Sequence, residues 1–445
     1  KTAYEIMPSL VGSEMCIRDS SSCVSYGNAM NIYLEVYGCT ANKSDASIIK
    51  GIAKDRGHGI VDDIKDADTI VLLTCTVIGS TEQRMLSRIK KLNKLGKPLI
   101  VSGCMAAVQP DLIREISPDS SLVPPDKIST VVDLIEGRKT LHKFTTKTSL
   151  PRCYDGVIAP IAISEGCNFS CSYCITTKAR GKLVSYPIKE IVKAVEDAVG
   201  KGIVEIQLTA QDVASYGMDS GERLGELIDR VSDVKGSFRI RIGMMNPSLL
   251  LPQIDEIIEA YTNDKVYKFL HLPVQSGDNE VLRRMNRKYS AEDFVNIVNA
   301  FRTRFPDLTL STDIIVGFPG ESEQAFLKTI ELLKEVKPDI VNITRFSPRP
   351  HTKAKMFSDK IPTKIAKERS RKLTLLCKEI SRDRNKLYLN KCCNVVITER
   401  GKGSTVVGRT DTYKPVVIYS DISLGTFGKA KIEKIADNYL IGKLI

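Results

Sequence analysis

Short apolar segments alternate with amphipathic helical segments over the hundred or so residues that follow position 30. Three predicted strands lie at 32–37, 69–74 and 98–102, and each is followed by a helical pattern. Buried strands that alternate with helices are typical of a parallel sheet covered on both faces. The pattern therefore predicts an N-terminal parallel, Rossmann-like α/β domain.

A second alternation runs through the middle of the chain, with about 30 residues per strand–helix unit, as in parallel barrels. Helical patterns such as 188–199 and 291–305 separate its strands. The predicted strands lie at 156–163, 205–208, 239–242, 269–272, 310–316 and 340–345. We expect a full or partial (β/α) barrel with its chemistry at the carboxyl ends of the strands.

The last part of the chain changes to a Lys/Arg-rich helical pattern over 363–389, followed by short alternating strands. These strands are predicted at 394–398, 404–409, 415–418, 428–435 and 439–443. Strands of this length, separated by Gly, Asp and Asn turns, indicate a small OB-like β-barrel. The predicted domains are 30–140, 150–382 with the basic linker helix, and 384–445.

Residues 1–29 show neither a helical nor a strand period, and charged side chains interrupt any run that a secretion signal would need. We expect an artefactual or disordered extension, with Met30 as the natural start and no role for Cys16 and Cys23. No apolar run approaches the ~20 residues of a membrane helix. We therefore expect a cytoplasmic protein without membrane contact, acting as a monomer.

The net charge of +12 is concentrated in one stretch of the chain. Residues 345–391 hold 15 Lys and Arg against 4 Asp and Glu, a local balance of +11 that leaves +1 for the remainder. A solvated helix face is the ordinary cause of such a run. Because this one stands just before the small barrel, we favour a surface for a polyanion.

Twelve cysteines in a chain without an export signal indicate metal binding or catalysis rather than disulfides. Cys167, Cys171 and Cys174 stand in a Cys-x3-Cys-x2-Cys spacing after the first barrel strand. Three thiolates this close can bind three irons of a [4Fe–4S] cube and leave the fourth iron open. A zinc site would need a fourth ligand nearby, and the flanking histidines, His142 and His271, are distant in sequence.

Three further cysteines, Cys39, Cys75 and Cys104, each follow one of the first three strands directly. Ligands of open parallel sheets bind beyond the carboxyl ends of the strands, so these thiols can converge on one point. The alternative is that they are buried as small apolar side chains, which is common for one cysteine and less so for three consecutive strand ends. No ligand pattern includes the remaining cysteines, Cys153, Cys377, Cys392 and Cys393.

The Cys-x3-Cys-x2-Cys motif resembles that of the radical S-adenosylmethionine (SAM) superfamily. The resemblance implies that Cys167, Cys171 and Cys174 hold a [4Fe–4S] cluster whose open iron binds SAM and generates a 5′-deoxyadenosyl radical. Tyr173 would shield this cluster and help to place the adenine.

With the upstream cysteines and the terminal barrel, residues 30–445 resemble the radical SAM methylthiotransferases. In that family Cys39, Cys75 and Cys104 would hold a second [4Fe–4S] cluster that carries the inserted sulfur. The terminal barrel resembles a TRAM domain, which binds RNA. The resemblance implies a transferase that acts on transfer RNA and needs an electron donor and a sulfur source.

Lys178-Ala179-Arg180-Gly181 resembles the archaeal and eukaryotic branch of the family, which modifies carbon 2 of N6-threonylcarbamoyladenosine at position 37, beside the anticodon. Three other enzyme substrates or reactions stay open: isopentenyl-adenosine, a ribosomal protein, or RNA methylation without sulfur insertion. A non-catalytic RNA-binding module with zinc is a further alternative.

Polar residues and glycines at the predicted strand ends resemble the SAM-binding rim of the family, although each alone could be a turn or a cap. The predicted cofactor-binding residues are Tyr173, Gln207, Thr209, Gln211, Asp212, His271, Gln275, Asp313 and Gly317. Single-stranded RNA is bound by basic grooves and stacking aromatics. The predicted RNA-binding residues are Arg400, Lys402, Arg409, Tyr413 and Lys414, with a core position as the alternative for Tyr413. We assign no acid or base.

Overall fold

The computed structural model describes residues 29–138 and 146–445. Residues 1–28 and 139–145 lie outside the described residues. The predicted N-terminal extension up to residue 28, with Cys16 and Cys23, therefore lies outside them, as do the domain boundary predicted at 140 and His142.

A parallel five-stranded sheet in the order β2-β1-β3-β4-β5 forms the first domain. Its strands are β1 (Asn31–Val36), β2 (Gly59–Val61), β3 (Thr69–Thr74), β4 (Leu99–Gly103) and β5 (Ser121–Val123). Its helices are α1 (Thr40–Asp55), α2 (Gly79–Asn93), α3 (Cys104–Val108), α4 (Pro110–Arg114) and α5 (Val131–Ile135). Every side chain of β3 is buried, as expected for a central strand covered on both faces.

Six parallel strands form an incomplete barrel in the middle of the chain. The strands of this part are β6 (Ile158–Ala162), β7 (Ser164–Glu165), β8 (Val184–Ser185), β9 (Glu205–Thr209), β10 (Arg239–Ile242), β11 (Phe269–His271), β12 (Thr309–Val316) and β13 (Ile340–Arg345). β7 and β8 form a separate two-stranded sheet. The barrel strands pair as β6-β9-β10 and β11-β12-β13, with a bridge from Ile240 to Val266 between the two groups. Within the described chain β6 and β13 do not pair, so this incomplete barrel, which we call the half barrel, is open on one side.

Helices cover the outer face of the half barrel. They are α7 (Ile188–Gly200), α8 (Leu224–Ser232), α9 (Pro247–Leu250), α10 (Ile254–Ala260), α11 (Asn279–Arg284), α12 (Ala291–Arg304) and α13 (Glu323–Val336), whereas the short α6 (Thr176–Arg180) packs against α3 of the first domain. The side chain of Ser290 accepts from the backbone of Asp293 and the carboxylate of Asp293 accepts in return, so a capping box starts α12. The helices pack their apolar faces on the strands in the largest buried core of the molecule.

A long basic helix leads into a small closed barrel at the end of the chain. The helix is α14 (Thr363–Lys386), and the barrel strands are β14 (Cys392–Arg400), β15 (Thr405–Thr410), β16 (Pro415–Tyr419), β17 (Phe427–Ile435) and β18 (Leu440–Leu444). The barrel closes in the order β14-β15-β16-β18-β17. Among the described helices, none is both long and apolar enough to cross a membrane.

The first domain lies across the open side of the half barrel. On one edge α1 packs along β6. On the other edge the backbone N–H of Gly79 donates to Ser347 Oγ at 3.2 Å, and Arg349 donates to Thr76 Oγ1 at 2.7 Å, just beyond β13. The residues that follow β3 are thereby held against the carboxyl ends of the half-barrel strands.

The terminal barrel docks at the amino ends of the half-barrel strands. Lys414 Nζ lies 2.9 Å from the buried carboxylate of Asp339, which precedes β13. The backbone N–H of Lys268, before β11, donates to the carbonyl of Asp411 at 2.9 Å. The half barrel is thus covered at its base by the terminal barrel and at its side by the first domain.

Candidate metal centres and substrate cavity

Three cysteines lie at the carboxyl ends of neighbouring strands of the first sheet. Cys39 precedes α1, Cys75 follows β3, and Cys104 is the first residue of α3 after β4. Because Thr74 pairs with Gly103 in the sheet, Cys75 and Cys104 continue two adjacent strands. Cys39 is exposed and the other two are buried. We call these three residues the first trio.

The thiols of the first trio are close enough to affect one another. Burial raises the pKa of the Cys104 thiol to about 11, with Cys39 and Cys75 adding to the rise and Arg180 opposing it. Burial also raises the pKa of Cys75, and Arg180 and Arg349 lower it. Iron ligation requires thiolates, so two arginines stand where they would offset the charge of such ligands.

The second trio, Cys167, Cys171 and Cys174, lies in the loop between β7 and α6. The backbone N–H of Phe169 donates to Cys167 Sγ and that of Thr176 donates to Cys174 Sγ, both at 3.4 Å. Burial raises the pKa of Cys167 to about 12, and the other two thiols contribute to the rise. Amide donors to sulfur stabilise thiolate ligands and tune the clusters that they hold.

The donor chemistry of both trios suits four-iron cubes. Each trio consists of three free cysteines, and cysteine thiolates are the ligands that hold [4Fe–4S] clusters. A structural zinc site would need a fourth protein ligand. Three thiols leave one corner of a cube without a protein ligand. The donor sets therefore fit [4Fe–4S] clusters, each with an open iron.

The two trios meet where α3 packs against α6. Cys104 and Val108 of α3 form a buried apolar cluster with Ile175 and Ala179. Ile175 directly follows Cys174 and Cys104 belongs to the first trio, so this one contact holds the two trios side by side.

A cavity of about 300 Å³, which we call the upper cavity, lies beside both trios. Val77 and Ile78, just after Cys75, form one wall, and Tyr173 and Cys174 form another. Its remaining lining includes Gln275, Asp313, Asn342 and Phe346. The volume and the mixture of apolar walls with a few polar groups are typical of small-molecule sites.

Asp313 presents an oriented carboxylate to the upper cavity. His271 Nε2 lies 3.2 Å from Asp313 Oδ1, and Asn342 Nδ2 donates to the same oxygen at 2.8 Å. Burial raises the pKa of Asp313, but these two partners outweigh it and hold the pKa below its usual value. An ionised carboxylate at this place can accept hydrogen bonds from the hydroxyl or amino groups of a ligand.

Three other predicted cofactor residues lie at the carboxyl end of β9. Gln211 Oε1 accepts from the backbone N–H of Gly166 at 2.6 Å, one residue before the first cysteine of the second trio. Asp212 is buried, accepts from the backbone N–H of Asn246 at 3.0 Å, and has its pKa raised to about 6 by burial. Thr209 is buried at the end of β9. Of the three, Gln211 supports the loop of the second trio.

Gln207 and Gly317 lie away from the upper cavity. Gln207 lines a second cavity of about 690 Å³, which we call the lower cavity, in the lumen between α1, the half barrel and the terminal barrel. The backbone N–H of Gly317 donates to Glu321 Oε2 at 2.7 Å, and its α-carbon faces Ala366 of α14. Their placement lends no support to the predicted contact with SAM.

The predicted RNA-binding residues divide into two groups. Arg400 and Lys402 are exposed at the turn between β14 and β15. Arg409 donates to Glu399 Oε1 at 2.6 Å and stacks on the ring of Tyr413. The first two are available to an RNA strand, and Arg409 is partly engaged within the protein.

Tyr413 and Lys414 point into the molecule. The hydroxyl of Tyr413 donates to Glu205 Oε1 at 3.0 Å, and its ring packs against Tyr267. Lys414 is buried and also donates to Asn385 Oδ1 at 2.7 Å. Their placement does not support the predicted RNA contact; for Tyr413 it favours the alternative of a core position.

Comparisons with protein families divide the chain in the same order as the fold. Residues 31–124 match the model described as Uncharacterized protein family UPF0004, residues 161–333 match the Radical SAM superfamily, and residues 386–445 match the TRAM domain. The UPF0004 match includes the first trio, and the Radical SAM match includes the second trio.

A relative from Archaeoglobus fulgidus, named "Probable threonylcarbamoyladenosine tRNA methylthiotransferase", is 42% identical over 93% of this chain and 99% of its own length. The chain belongs to the threonylcarbamoyladenosine tRNA methylthiotransferase family. A relative from Fervidobacterium nodosum, named a tRNA-2-methylthio-N(6)-dimethylallyladenosine synthase, is 31% identical over 93% of the chain and 99% of its own length. The predicted family and branch are thereby confirmed.

The structural comparison agrees with the fold described above. The radical SAM methyltransferase TsrM of Kitasatospora setae superposes with a TM-score of 0.55, at 14% identity, over 73% of this chain and 77% of its own. With the closed terminal barrel, this confirms the predicted α/β fold class with a partial barrel. The family also confirms the predicted SAM and [4Fe–4S] cofactors.

Two arginines beside the trios of the methylthiotransferase were not predicted. Arg287 donates to the hydroxyl of Tyr173 at 2.7 Å and lowers the pKa of Cys171 against the effect of burial. Arg349 is buried and joins Thr76 and Glu82 of the first domain. The one available signal was the Pro-Arg-Pro context of Arg349, which places an arginine in an extended segment. Arg287 follows a short helix and carries no such signal.

Proposed function

We propose that this enzyme transfers a methylthio group to carbon 2 of N6-threonylcarbamoyladenosine at position 37 of transfer RNA. The observation that carries the proposal is the contact between α3 and α6, which places both trios beside one cavity. Sulfur insertion at a C–H carbon requires the centre that makes the radical and the centre that carries sulfur to reach the same atom. The name of the archaeal relative supports the adenosine substrate.

We assign the second trio to the cluster that binds SAM and the first trio to the cluster that carries sulfur. When bound, the clusters and SAM supply the radical, the sulfur and the methyl group, which no protein side chain provides. The protein binds, orients and shields. The arginines beside the trios, Arg180, Arg287 and Arg349, offset the charge of the thiolates.

The upper cavity has the groups that SAM requires. Asp313, held in place by His271 and Asn342, accepts hydrogen bonds from the ligand. Tyr173, fixed by Arg287, forms a wall next to Cys174. The side chains of Val77 and Ile78 give the cavity an apolar wall next to the residues that follow Cys75.

The transfer RNA partner would present its anticodon loop, because loop bases can be splayed out of the stack and inserted into a pocket. Arg400, Lys402 and the basic surface of α14 are the proposed contacts of the phosphate backbone. We further propose that residues 30–140, 150–382 and 384–445 are the working domains of a cytoplasmic monomer. The electron donor and the sulfur source are external.

Cysteine variants test the assignment of the two trios. We expect about eight irons per chain in the reconstituted wild type and about four in either trio variant, since each [4Fe–4S] cluster holds four. Replacing Cys167, Cys171 and Cys174 by Ala should abolish SAM cleavage. Replacing Cys39, Cys75 and Cys104 by Ala should leave SAM cleavage intact and stop methylthio formation. The control is Cys392→Ala, an exposed cysteine on β14 with no assigned role.

Mass spectrometry of transfer RNA nucleosides from cells with and without the gene tests the substrate. The methylthio derivative of threonylcarbamoyladenosine should disappear without the gene. Loss of a dimethylallyladenosine derivative instead, or of a modification of a ribosomal protein, would replace the proposed substrate. Methylated but sulfur-free adenosine would contradict sulfur insertion.

A further inference from the structure

The lower cavity is the larger of the two cavities, and its walls come from all three parts of the fold. Its volume is about 690 Å³, which is enough for a nucleoside with a side group. Its lining includes Val36, three residues before Cys39, and Thr40, directly after Cys39, together with Gln207 of the half barrel. A ligand in the lower cavity is therefore next to the first trio.

Arg241 projects into this cavity from the middle of β10. It is in register with Gln207 of β9, which is in turn in register with Pro160 of β6, and all three line the cavity. The guanidinium stacks on two rings, 5.0 Å from the centroid of Phe269 and 5.4 Å from that of Tyr413. Both distances are within the range of cation–π contacts, which hold the guanidinium beside these rings.

Arg241 has no acidic partner among the described residues. The Nε atoms of Arg241 and of Arg239, two residues earlier on the same strand, are both buried without a hydrogen-bond partner, but Arg239 also pairs through Nη2 with Asp411 at 3.3 Å. The other arginines with little exposed side chain all have protein partners: Arg180, Arg349, Arg369, Arg384 and Arg409 pair with carboxylates, and Arg152 and Arg287 donate to the carbonyl oxygen of Lys147 and to the hydroxyl of Tyr173. A partly buried charge without a partner is costly, so an anion is expected to complete the site.

The remaining charges of the lower cavity also favour an anion. Five Lys and Arg side chains line it against two acids, and both acids are already paired. Asp155 lies 2.5 Å from Lys50 Nζ, and Glu399 accepts from Arg409. The lining cations without an acidic partner in the described chain are Lys43, Arg241 and Arg400.

We propose that the lower cavity receives the threonylcarbamoyl group of the substrate and that Arg241 binds its carboxylate. The inference rests on the proposed function and names the residue that selects the substrate. A guanidinium matches a carboxylate through two parallel hydrogen bonds. A dimethylallyl group, the substituent in the name of the Fervidobacterium relative, has no charge and would leave Arg241 unpaired. Sites built to bind a polar group reject analogues that lack it.

Binding of anticodon stem-loops to the full-length, cluster-loaded protein tests this inference. One stem-loop carries threonylcarbamoyladenosine at position 37 and the other carries adenosine. We expect the wild type to bind the first at least about tenfold more tightly, as for a charge-assisted pair. Arg241→Gln should remove this preference, and Arg241→Lys should retain part of it.

Arg283→Gln is the matched control, because it removes one positive charge from an exposed pair with Glu280 far from the cavity. It should keep the full preference. A preference that persists in Arg241→Gln overturns the inference. Equal weakening of both stem-loops by Arg241→Gln also overturns it, since Arg241 would then bind a backbone phosphate.

A change in the substrate avoids any effect of the variants on folding. A stem-loop whose threonyl carboxylate is converted to a methyl ester should lose about tenfold in affinity for the wild-type protein. If the wild type forms the methylthio product but binds ester and acid equally, the role of Arg241 fails and the proposed function stands. If no methylthio product forms from the threonylcarbamoyl stem-loop, the proposed function itself fails.

Discussion

Arg180 Nη2 lies 2.8 Å from Asp45 Oδ2, and this buried ion pair joins the half barrel to the first domain. Asp45 belongs to the helix that begins after Cys39, and Arg180 ends the helix that follows Cys174. Lys147 Nζ lies 2.8 Å from the other oxygen of Asp45, and Arg180 Nη1 lies 2.7 Å from Glu165. One network of charges therefore ties the supports of both trios together.

Removing one member of this network should destabilise the apoprotein strongly. Arg180→Met leaves Asp45 buried with one cation fewer, and we expect a loss of about 3–5 kcal/mol in the free energy of unfolding. The double variant Arg180→Met with Asp45→Asn should lose less than the sum of the single variants, because the two residues interact. Urea unfolding under reducing conditions measures these differences. Arg283→Met should leave the unfolding midpoint unchanged, and strict additivity would contradict the coupling.

Gly166 controls the start of the second trio. Its φ is +79°, and a β-carbon there would lie 1.9 Å from the carbonyl oxygen of Lys182. We expect Gly166→Ala to displace the loop and to lower the iron content by about one cluster of four. Gly181→Ala is the control, because its φ of +75° is similar but no atom lies within 4 Å of the added carbon. Equal iron loss in both variants would assign the effect to φ alone.

Arg287 should set the reduction potential of the cluster that the second trio holds. Its positive charge lies near Cys171, and a cation beside a cluster favours the reduced state. We expect Arg287→Met to lower the midpoint potential, measured by electron paramagnetic resonance during redox titration, while the iron content stays the same. Arg287→Lys keeps the charge and should shift the potential less. An unchanged potential in the Met variant would limit Arg287 to positioning Tyr173.

We expect Tyr413 to have a structural role and Lys402 to bind RNA. Tyr413→Phe removes the hydroxyl that bonds Glu205, and we expect a loss of about 1–2 kcal/mol in the free energy of unfolding with no change in stem-loop affinity. Lys402→Gln should weaken RNA binding and reduce the slope of log affinity against log salt by about one. Weaker RNA binding by the Phe variant, measured at matched salt, would make Tyr413 an RNA contact.

Much of this fold follows from the periodicity of the chain. The predicted strands at 69–74, 239–242 and 340–345 have the same bounds in the structure, because each is a continuous apolar or alternating run. The edge strands β2 and β5 were not predicted, since three residues are too few to show a period. The bounds of most other strands differ by one or two residues.

The candidate site was less accessible to sequence reasoning than the fold. The cysteines of the first trio directly follow predicted strands. Because parallel strands have their carboxyl ends at one edge of the sheet, the sequence alone indicates that these thiols converge. Arg241 and Gln207 also lie on strands, but their role depends on which face of the strand lines the lumen and on what the terminal barrel places beneath them. For Tyr413 the sequence leaves an RNA contact and a core position open, because its contact with Glu205 joins residues far apart in sequence. Contacts between residues far apart in sequence produce no periodic pattern from which they could be predicted.

The packing of α3 on α6 has a consequence for how substrate enters. Cys104 begins α3, and Cys174 lies just before α6. Any rotation of the first domain that separated the two trios would therefore also separate these helices and expose their apolar contact to water. We therefore expect no hinge motion between the two trios when substrate binds. The conformational change then occurs in the nucleic acid, whose target base has to leave the stack and enter a preformed site.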